Sequence, residues 1–194
     1  MKTKILEIEL AIEDVRWAAQ AAENSFAKWA GQEGYYDNRF NAHFKGRLGE
    51  AAVEKFLLSK KMKLDSHFRF PDRENLSDMV VKINGYRKIS RVEVKTWSSH
   101  YWQDLGRCVS VEQCADLKHK ADVIIWCIVD VKDIKEALNN PVPVKVLLAG
   151  WSKIDAISKA PIKLTGSGGM RKIENYQLDD ADLNPMGLFS VELL

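Results

Sequence analysis

The chain has 194 residues, of which 46% are hydrophobic and 29% are charged, and its formal net charge is +2. This composition is typical of a soluble globular protein and excludes a strongly basic chain, so any nucleic-acid surface must be a local patch. The cysteines Cys108, Cys114 and Cys127 lack metal-site spacing and predict a reducing, cytoplasmic location. The N-terminus has no signal-peptide pattern, and the apolar run 123–129 is too short to span a bilayer, so we expect no membrane association.

A long helix is predicted over residues 3 to 30, because apolar residues recur there at alternating steps of three and four. Such a seam indicates either a helix that packs on its own chain or a homodimer formed through this helix. The small side chains of Ala19 and Ala22 favour the first interpretation. We therefore divide the chain into an N-terminal helical extension, 1–40, and a main domain, 41–194.

A second helix is predicted over residues 43 to 60. It contains Gly46 and Gly49, which lie close together on the helix surface and cost roughly 1 kcal/mol each relative to alanine. Close approach of the helix to another backbone would compensate for that cost. Glu50 follows directly after the second glycine.

Residues 77 to 96 predict a β-hairpin with its turn at Asn84-Gly85, a pair that readily takes the positive φ of a tight turn. Asp78 opens the first strand. Glu93 and Lys95 lie two apart on the returning strand, so they project from the same face. Two carboxylates on neighbouring strands, with a lysine beside them, suit a hard divalent cation and a phosphate.

The remaining segments complete a pattern in which strands and helices alternate. The run 123–131 is almost wholly apolar, which predicts a strand covered by helices on both faces. Ser110 and Gln113 form a capping-box pattern at a helix start. The other predictions are strands at 63–70, 144–149 and 176–178, helices at 110–120 and 152–160, an aromatic loop at 97–109, and a loop at 165–169.

The order helix, three strands, helix, strand, with acids at set points along it, resembles the PD-(D/E)xK nuclease superfamily. That superfamily includes many type II restriction endonucleases and archaeal-type Holliday-junction resolvases. The matching residues are 46–50 (GRLGE), Asp78 and 93–95 (EVK), and the resemblance covers about 44–130. It implies an α/β fold with a restriction-endonuclease-like mixed sheet (αβββαβ) flanked by helices, to which the long N-terminal helix is added.

The resemblance also implies a chemistry, the hydrolysis of phosphodiester bonds in DNA with Mg²⁺, for which Mn²⁺ would substitute. Asp78 and Glu93 would be catalytic carboxylates that hold the metal, Glu50 would assist directly or through a water, and the backbone carbonyl of Val94 would be a further ligand. Lys95 would orient or deprotonate the attacking water, or stabilise charge in the transition state.

Several alternatives accompany this interpretation. Glu54, one turn after Glu50, and the dipeptide Pro71-Asp72 compete for two of the acidic positions. A binding or protein-interaction module that kept the fold without cleavage, and a nuclease acting on RNA, are the other candidate functions. Basic and aromatic residues near the motifs predict DNA contacts or, alternatively, a mixed surface with two core tryptophans. These residues are Lys45, Arg47, Trp97, His100, Tyr101, Trp102 and Lys118.

Overall fold

The computed structural model describes residues 5–29, 39–73, 76–82, 89–131, 134–166 and 172–189. The fold is mixed α/β, with a curled six-stranded sheet, a separate three-stranded sheet and helices packed around them. The strands are β1 (Leu6–Leu10), β2 (Lys63–Asp65), β3 (Met79–Lys82), β4 (Ile89–Trp97), β5 (Cys108–Ser110), β6 (Val123–Val129), β7 (Val144–Lys153), β8 (Ile162–Thr165) and β9 (Ile173–Gln177). The α-helices are α1 (Ile12–Trp29), α2 (Arg39–Ser59), α3 (Ser99–Leu105), α4 (Val111–Lys120), α5 (Ile134–Asn139) and α6 (Ile154–Ile157).

The large sheet has the strand order β1-β7-β6-β4-β3-β2, and the small sheet has the order β5-β9-β8. Strands β4 and β6 are parallel, whereas every other neighbouring pair of the large sheet is antiparallel. A parallel pair needs a crossover, and α4 lies in the connection between β4 and β6.

The centre of the sheet is covered on both faces. Every residue of β6 is buried, which confirms the predicted two-sided strand. Its alternate residues belong to two hydrophobic clusters: Ile125 lies in the larger one with α1 and α2, and Trp126 lies in the smaller one with α4. Strand β4 is therefore held next to a rigid, fully buried neighbour.

The predicted helix over residues 3 to 30 is wrong over its first part, because residues 6–10 form a strand paired with β7. The sequence LEIEL alternates apolar and acidic residues, which suits an edge strand with one face on the core. The helix proper begins at Ile12. Val15, Ala19 and Ala22 are buried in the cluster that α2 also lines, so this seam packs within the chain, and the homodimer stays a prediction.

Other predictions divide between confirmed and corrected. The hairpin strands are confirmed as antiparallel β3 and β4, while the Asn84-Gly85 turn lies outside the described residues. The helix that begins after Ser110 is confirmed, with its hydroxyl accepting the Gln113 N–H at 3.1 Å.

Two segments need correction. Residues 63–70 form only the short β2 followed by a 3₁₀ turn, and the predicted aromatic loop contains the helix α3. The strand β8, whose residues are nearly all exposed, was not predicted. Among the described helices none has the length and apolar character needed to cross a membrane.

Candidate active site

The hairpin brings Asp78 and Glu93 to the same end of the large sheet. The register pairs Met79 with Val92, so the next residues outward, Asp78 and Glu93, stand opposite each other. Directly opposed residues on antiparallel strands point to the same face. Asp78 is also fixed from the neighbouring strand, because its Oδ2 accepts the backbone N–H of Val94 at 2.7 Å.

Lys95 completes this face of β4. Its Nζ lies 3.0 Å from Oε1 of Glu93, and the two side chains are 21% and 14% exposed, so the pair is largely sheltered from water. Val92 and Val94 point the other way and are buried in the larger hydrophobic cluster. Alternate residues of one strand thus supply the core and a charged cluster.

Helix α2 approaches β4 very closely at Gly49. A Cβ added to this glycine would lie 1.9 Å from Oγ1 and 3.1 Å from Cβ of Thr96, so any larger residue there would force Thr96 to move. The predicted close approach is therefore confirmed at Gly49, but the predicted backbone partner is wrong, because the atoms nearest to this glycine belong to the Thr96 side chain of β4. The predicted close approach is wrong at Gly46, where a Cβ would meet nothing within 4 Å. Tight packing at Gly49 sets the position of Glu50 beside it.

The third carboxylate, Glu50, is buried and shares the environment of the other two. Burial raises the pKa of Glu50 to about 7, although the charge of Arg47 and a hydrogen bond from it at 2.8 Å oppose the rise. The negative charge of Glu93 raises it further. Burial also raises the pKa of Asp78 well above its usual value, and the charges of Glu93 and Glu50 add to this effect. The three carboxylates therefore act on one another as like charges.

The lysine responds in the opposite direction. Burial lowers the pKa of Lys95, but Glu93, Asp78 and Glu50 outweigh that effect and raise the pKa above its usual value. Lys95 is consequently held as an ammonium group that can donate hydrogen bonds. Arg47 is fixed in turn, because it bonds to Glu50, to the Phe68 carbonyl at 3.2 Å and to Ser25.

The acids that compete for these positions lie elsewhere. Glu54 accepts hydrogen bonds from Arg69 Nε at 2.9 and 3.0 Å, from the Nη2 of the same guanidinium, and from Ser66 at 2.6 Å. It is thus committed to holding the segment after β2 against α2. Asp72 is exposed on a 3₁₀ turn. Of Glu50 and Glu54 it is Glu50 that lies beside Glu93, and of Asp78 and Asp72 it is Asp78.

The cation that the resemblance implies would meet the carboxylate oxygens of Asp78, Glu93 and Glu50. Within the described residues, no group of three or more His, Cys, Asp or Glu side chains is arranged to hold a metal ion. Two of the three carboxylates instead contact cationic side chains, Glu93 with Lys95 and Glu50 with Arg47. The chemistry of the set still fits a hard cation, because clustered oxygen donors of like charge are what Mg²⁺ binding neutralises.

The residues predicted to contact DNA have different positions. Lys45 and Arg47 lie partly exposed on α2 just before Glu50, and Lys118 is exposed on α4. The remaining four lie at or after the end of β4, with His100 exposed and Tyr101 beside it at a ring-centroid distance of 4.8 Å. Trp97 packs partly against the smaller hydrophobic cluster.

Trp102 needs correction as a surface residue. It is only 5% exposed, its indole N–H donates to Asp180 at 3.1 Å, and the Arg107 guanidinium covers its ring at 4.8 Å. Trp102 is therefore a core residue and not a DNA contact.

A cleft beside the carboxylates was missed by the sequence interpretation. We call it the arginine cleft: a cavity of about 370 Å³ between α1 and residues 67–70, 73 and 76–78, with Glu50 and Asp78 in its wall. Three arginines also line it, Arg47, Arg69 and Arg73. The sequence HFRFPDR, in which basic and aromatic residues interleave, was the signal that could have found it.

Comparison with known proteins gave no match among protein-family models, curated proteins or solved structures.

Proposed function

We propose that the protein is a PD-(D/E)xK-type, divalent-metal-dependent endonuclease that hydrolyses phosphodiester bonds in DNA. The observation that carries this proposal is the convergence of Asp78, Glu93, Glu50 and Lys95, which come from three different elements. The element order supports it too, since α2, β2, β3, β4, α4 and β6 follow the αβββαβ sequence that the resemblance implies, with α3 and β5 inserted between β4 and α4. The restriction-endonuclease-like fold is thus part of the proposal.

Asp78, Glu93 and Glu50 would hold the cation together with the backbone carbonyl of Val94. A bound Mg²⁺, or Mn²⁺ in its place, would supply a water of lowered pKa and neutralise charge on the phosphate. The carboxylates alone would repel an anionic substrate. Their role would be to bind the cation, which places positive charge where the phosphate must lie. The N–H of Val94 holds the Asp78 carboxylate in place by donating a hydrogen bond to it.

Lys95 is the group of this site that would act on the phosphate itself. As an ammonium it can turn from Glu93 to a phosphoryl oxygen, where it would stabilise the charge that develops during attack. It can also orient the attacking water by donating a hydrogen bond. Both actions require a protonated Lys95, and the neighbouring carboxylates favour that form by raising its pKa. We therefore favour charge stabilisation over a role as general base.

A cleavage assay tests this proposal. Supercoiled, linear, single-stranded and branched DNA, and RNA, are incubated with Mg²⁺ or Mn²⁺ and with wild type, Asp78→Ala or Lys95→Ala. Glu174→Ala and Lys163→Ala are matched controls, because both residues are exposed on the small sheet. We expect metal-dependent cutting that is lost in the first two variants and kept in the controls.

Each other outcome assigns a different function. Cutting of RNA alone would make the protein an RNA-directed nuclease. Absence of cutting by folded wild type on every substrate would overturn the proposal in favour of a module that binds nucleic acid or protein without cleavage.

A further inference from the structure

The arginine cleft has the size of a site for one small ligand. Its volume of about 370 Å³ lies at the low end of the roughly 300–1,000 Å³ found for small-molecule pockets. A DNA duplex, whose major groove alone is about 12 Å wide, is too large to enter such a space. A single nucleotide that is not base-paired fits this scale.

The rim of the cleft offers an exposed aromatic ring and a cation beside it. Phe70 is 48% exposed and lines the cavity, so its ring is accessible to a ligand. The Arg73 guanidinium lies 5.0 Å from its ring centroid. Leu76, 50% exposed, lines the same cavity. Aromatic and cationic groups in alternation are what unpaired bases and their phosphates bind.

Arg73 is the arginine whose present partner is exchanged most easily. It pairs with Asp65 at 3.0 Å, and the two side chains are 40% and 55% exposed, so the pair is weak. Arg69 differs, because it is bound to Glu54 and covers the Trp17 ring at 4.4 Å, which makes it a fixed wall. A phosphate at the rim would therefore draw on Arg73.

We infer that the arginine cleft binds one unpaired nucleotide of a DNA strand directly next to the phosphate that is cut. The base stacks on Phe70, and the adjoining phosphate pairs with Arg73. This inference rests on the proposed function, because Glu50 and Asp78 form a wall of the same cavity. It makes single strands, and duplexes with an unpaired flank, the preferred substrates over fully paired DNA.

Fluorescence anisotropy tests the inference without cleavage. The full chain is titrated in EDTA with a labelled single-stranded oligonucleotide, within the roughly 4–16 nucleotides of known single-strand sites, and with a blunt duplex of the same sequence. We expect the single strand to bind more tightly. Phe70→Ala should weaken single-strand binding by roughly 5- to 150-fold, the range that corresponds to loss of one stacked base.

Matched variants separate the proposed contacts from general effects. Phe70→Trp keeps a stacking ring and should retain the affinity, which also shows that the position tolerates change. Arg73→Gln should lower the salt dependence of binding by about 0.7 in log–log slope, the value for one phosphate on a single strand. Arg91→Gln is its control, because Arg91 is a comparably exposed arginine, paired with Asp122, that does not line the cleft.

Equal affinity for duplex and single strand, no binding of either, or full affinity in folded Phe70→Ala would each overturn the inference. Cleavage is scored separately with Mg²⁺. Phe70-dependent binding that prefers single-stranded DNA, without any cutting, would overturn the proposed nuclease activity but support the nucleotide-binding site. If paired and unpaired DNA were cut at equal rates, and Phe70→Ala left those rates unchanged, the inferred role of the cleft would be overturned but the nuclease proposal would not.

Discussion

The two faces of strand β4 place neighbouring residues in opposite physical environments. On one face Val92 and Val94 are buried among apolar side chains, where each contributes stability at about 25 cal/mol per Å² of apolar area. On the other, Glu93 and Lys95 lie beside Asp78 in a sheltered cluster of charge. Burial of like charges costs stability. The strand can carry this cluster because its apolar face, and the buried β6 beside it, stabilise the same backbone.

The largest expected effect separates function from stability on the charged face. Asp78→Asn keeps an oxygen to accept the Val94 N–H but removes one of three like charges. We expect cleavage to fall by about 10²–10⁴-fold, the usual scale for loss of a principal catalytic group. The free energy of unfolding at pH 8 should stay equal or rise.

Urea denaturation and initial cleavage rates, measured on one preparation, check this expectation. A lower free energy of unfolding for Asp78→Asn than for wild type would contradict the claim that the charged face of β4 costs stability. Val92→Ala gives the converse control: it should cost about 1.5–3 kcal/mol of stability and leave cleavage by the folded protein intact.

The next effect is a dependence of stability on pH. Glu50 has a pKa of about 7 when folded, against an ordinary value of 4.5, so the unfolded chain loses this proton first. The contribution of Glu50 to the free energy of unfolding is therefore fully present below about pH 4.5 and is lost as the pH rises to about 7. The loss is on the order of 3 kcal/mol, since one pKa unit corresponds to about 1.4 kcal/mol.

Glu50→Gln removes this titration while it keeps the shape of the side chain. The difference in unfolding free energy between variant and wild type should grow in favour of the variant from pH 5 to pH 8. A constant difference over that range would show that folding does not raise the pKa of Glu50.

A smaller effect tests how α2 is seated on the apolar side of β4. Gly49→Ala would force a methyl group against Thr96, and overpacking of this kind typically costs about 1–3 kcal/mol. Gly46→Ala is the matched control one turn away, where the methyl group meets open space. It should stabilise the helix by up to about 1 kcal/mol.

A double-mutant cycle identifies the contact. Thr96→Ala removes Oγ1, a buried atom without a hydrogen-bond partner among the described residues, so it should cost little by itself. Gly49→Ala should then be less harmful in the Thr96→Ala background. Additive effects on thermal stability would mean that the glycine is needed for another reason.

The segments predicted well are those in which local pattern and tertiary environment agree. The hairpin and β6 have strand patterns that the sheet then buries, and Ser110 has both a capping side chain and a helix to cap. The helix predicted over residues 6–10 is wrong because their apolar positions also fit the heptad spacing, although the helix begins only at Ile12. Strand β8 had no apolar face on the core to reveal it, since Ile162 and Leu164 are both exposed.

The candidate site divides in the same way. The positions of Asp78, Glu93 and Lys95 follow from hairpin register, which a sequence can indicate. The choice of Glu50 over Glu54 does not, because it depends on where α2 contacts β4 and on the pairing of Glu54 with Arg69. The burial of Trp102 and the presence of the arginine cleft depend on contacts between segments that are distant in sequence.

Calorimetric titration with Mn²⁺ tests most directly whether the charged face of β4 exists to hold a cation. Wild type, Asp78→Asn and Glu93→Gln are compared with Glu174→Gln, an exposed carboxylate on the small sheet. We predict saturable binding to wild type and the control that is lost or strongly weakened in the two site variants. Absence of binding to wild type, or equal binding to all four proteins, would contradict the assignment of this cluster as a metal-dependent active site.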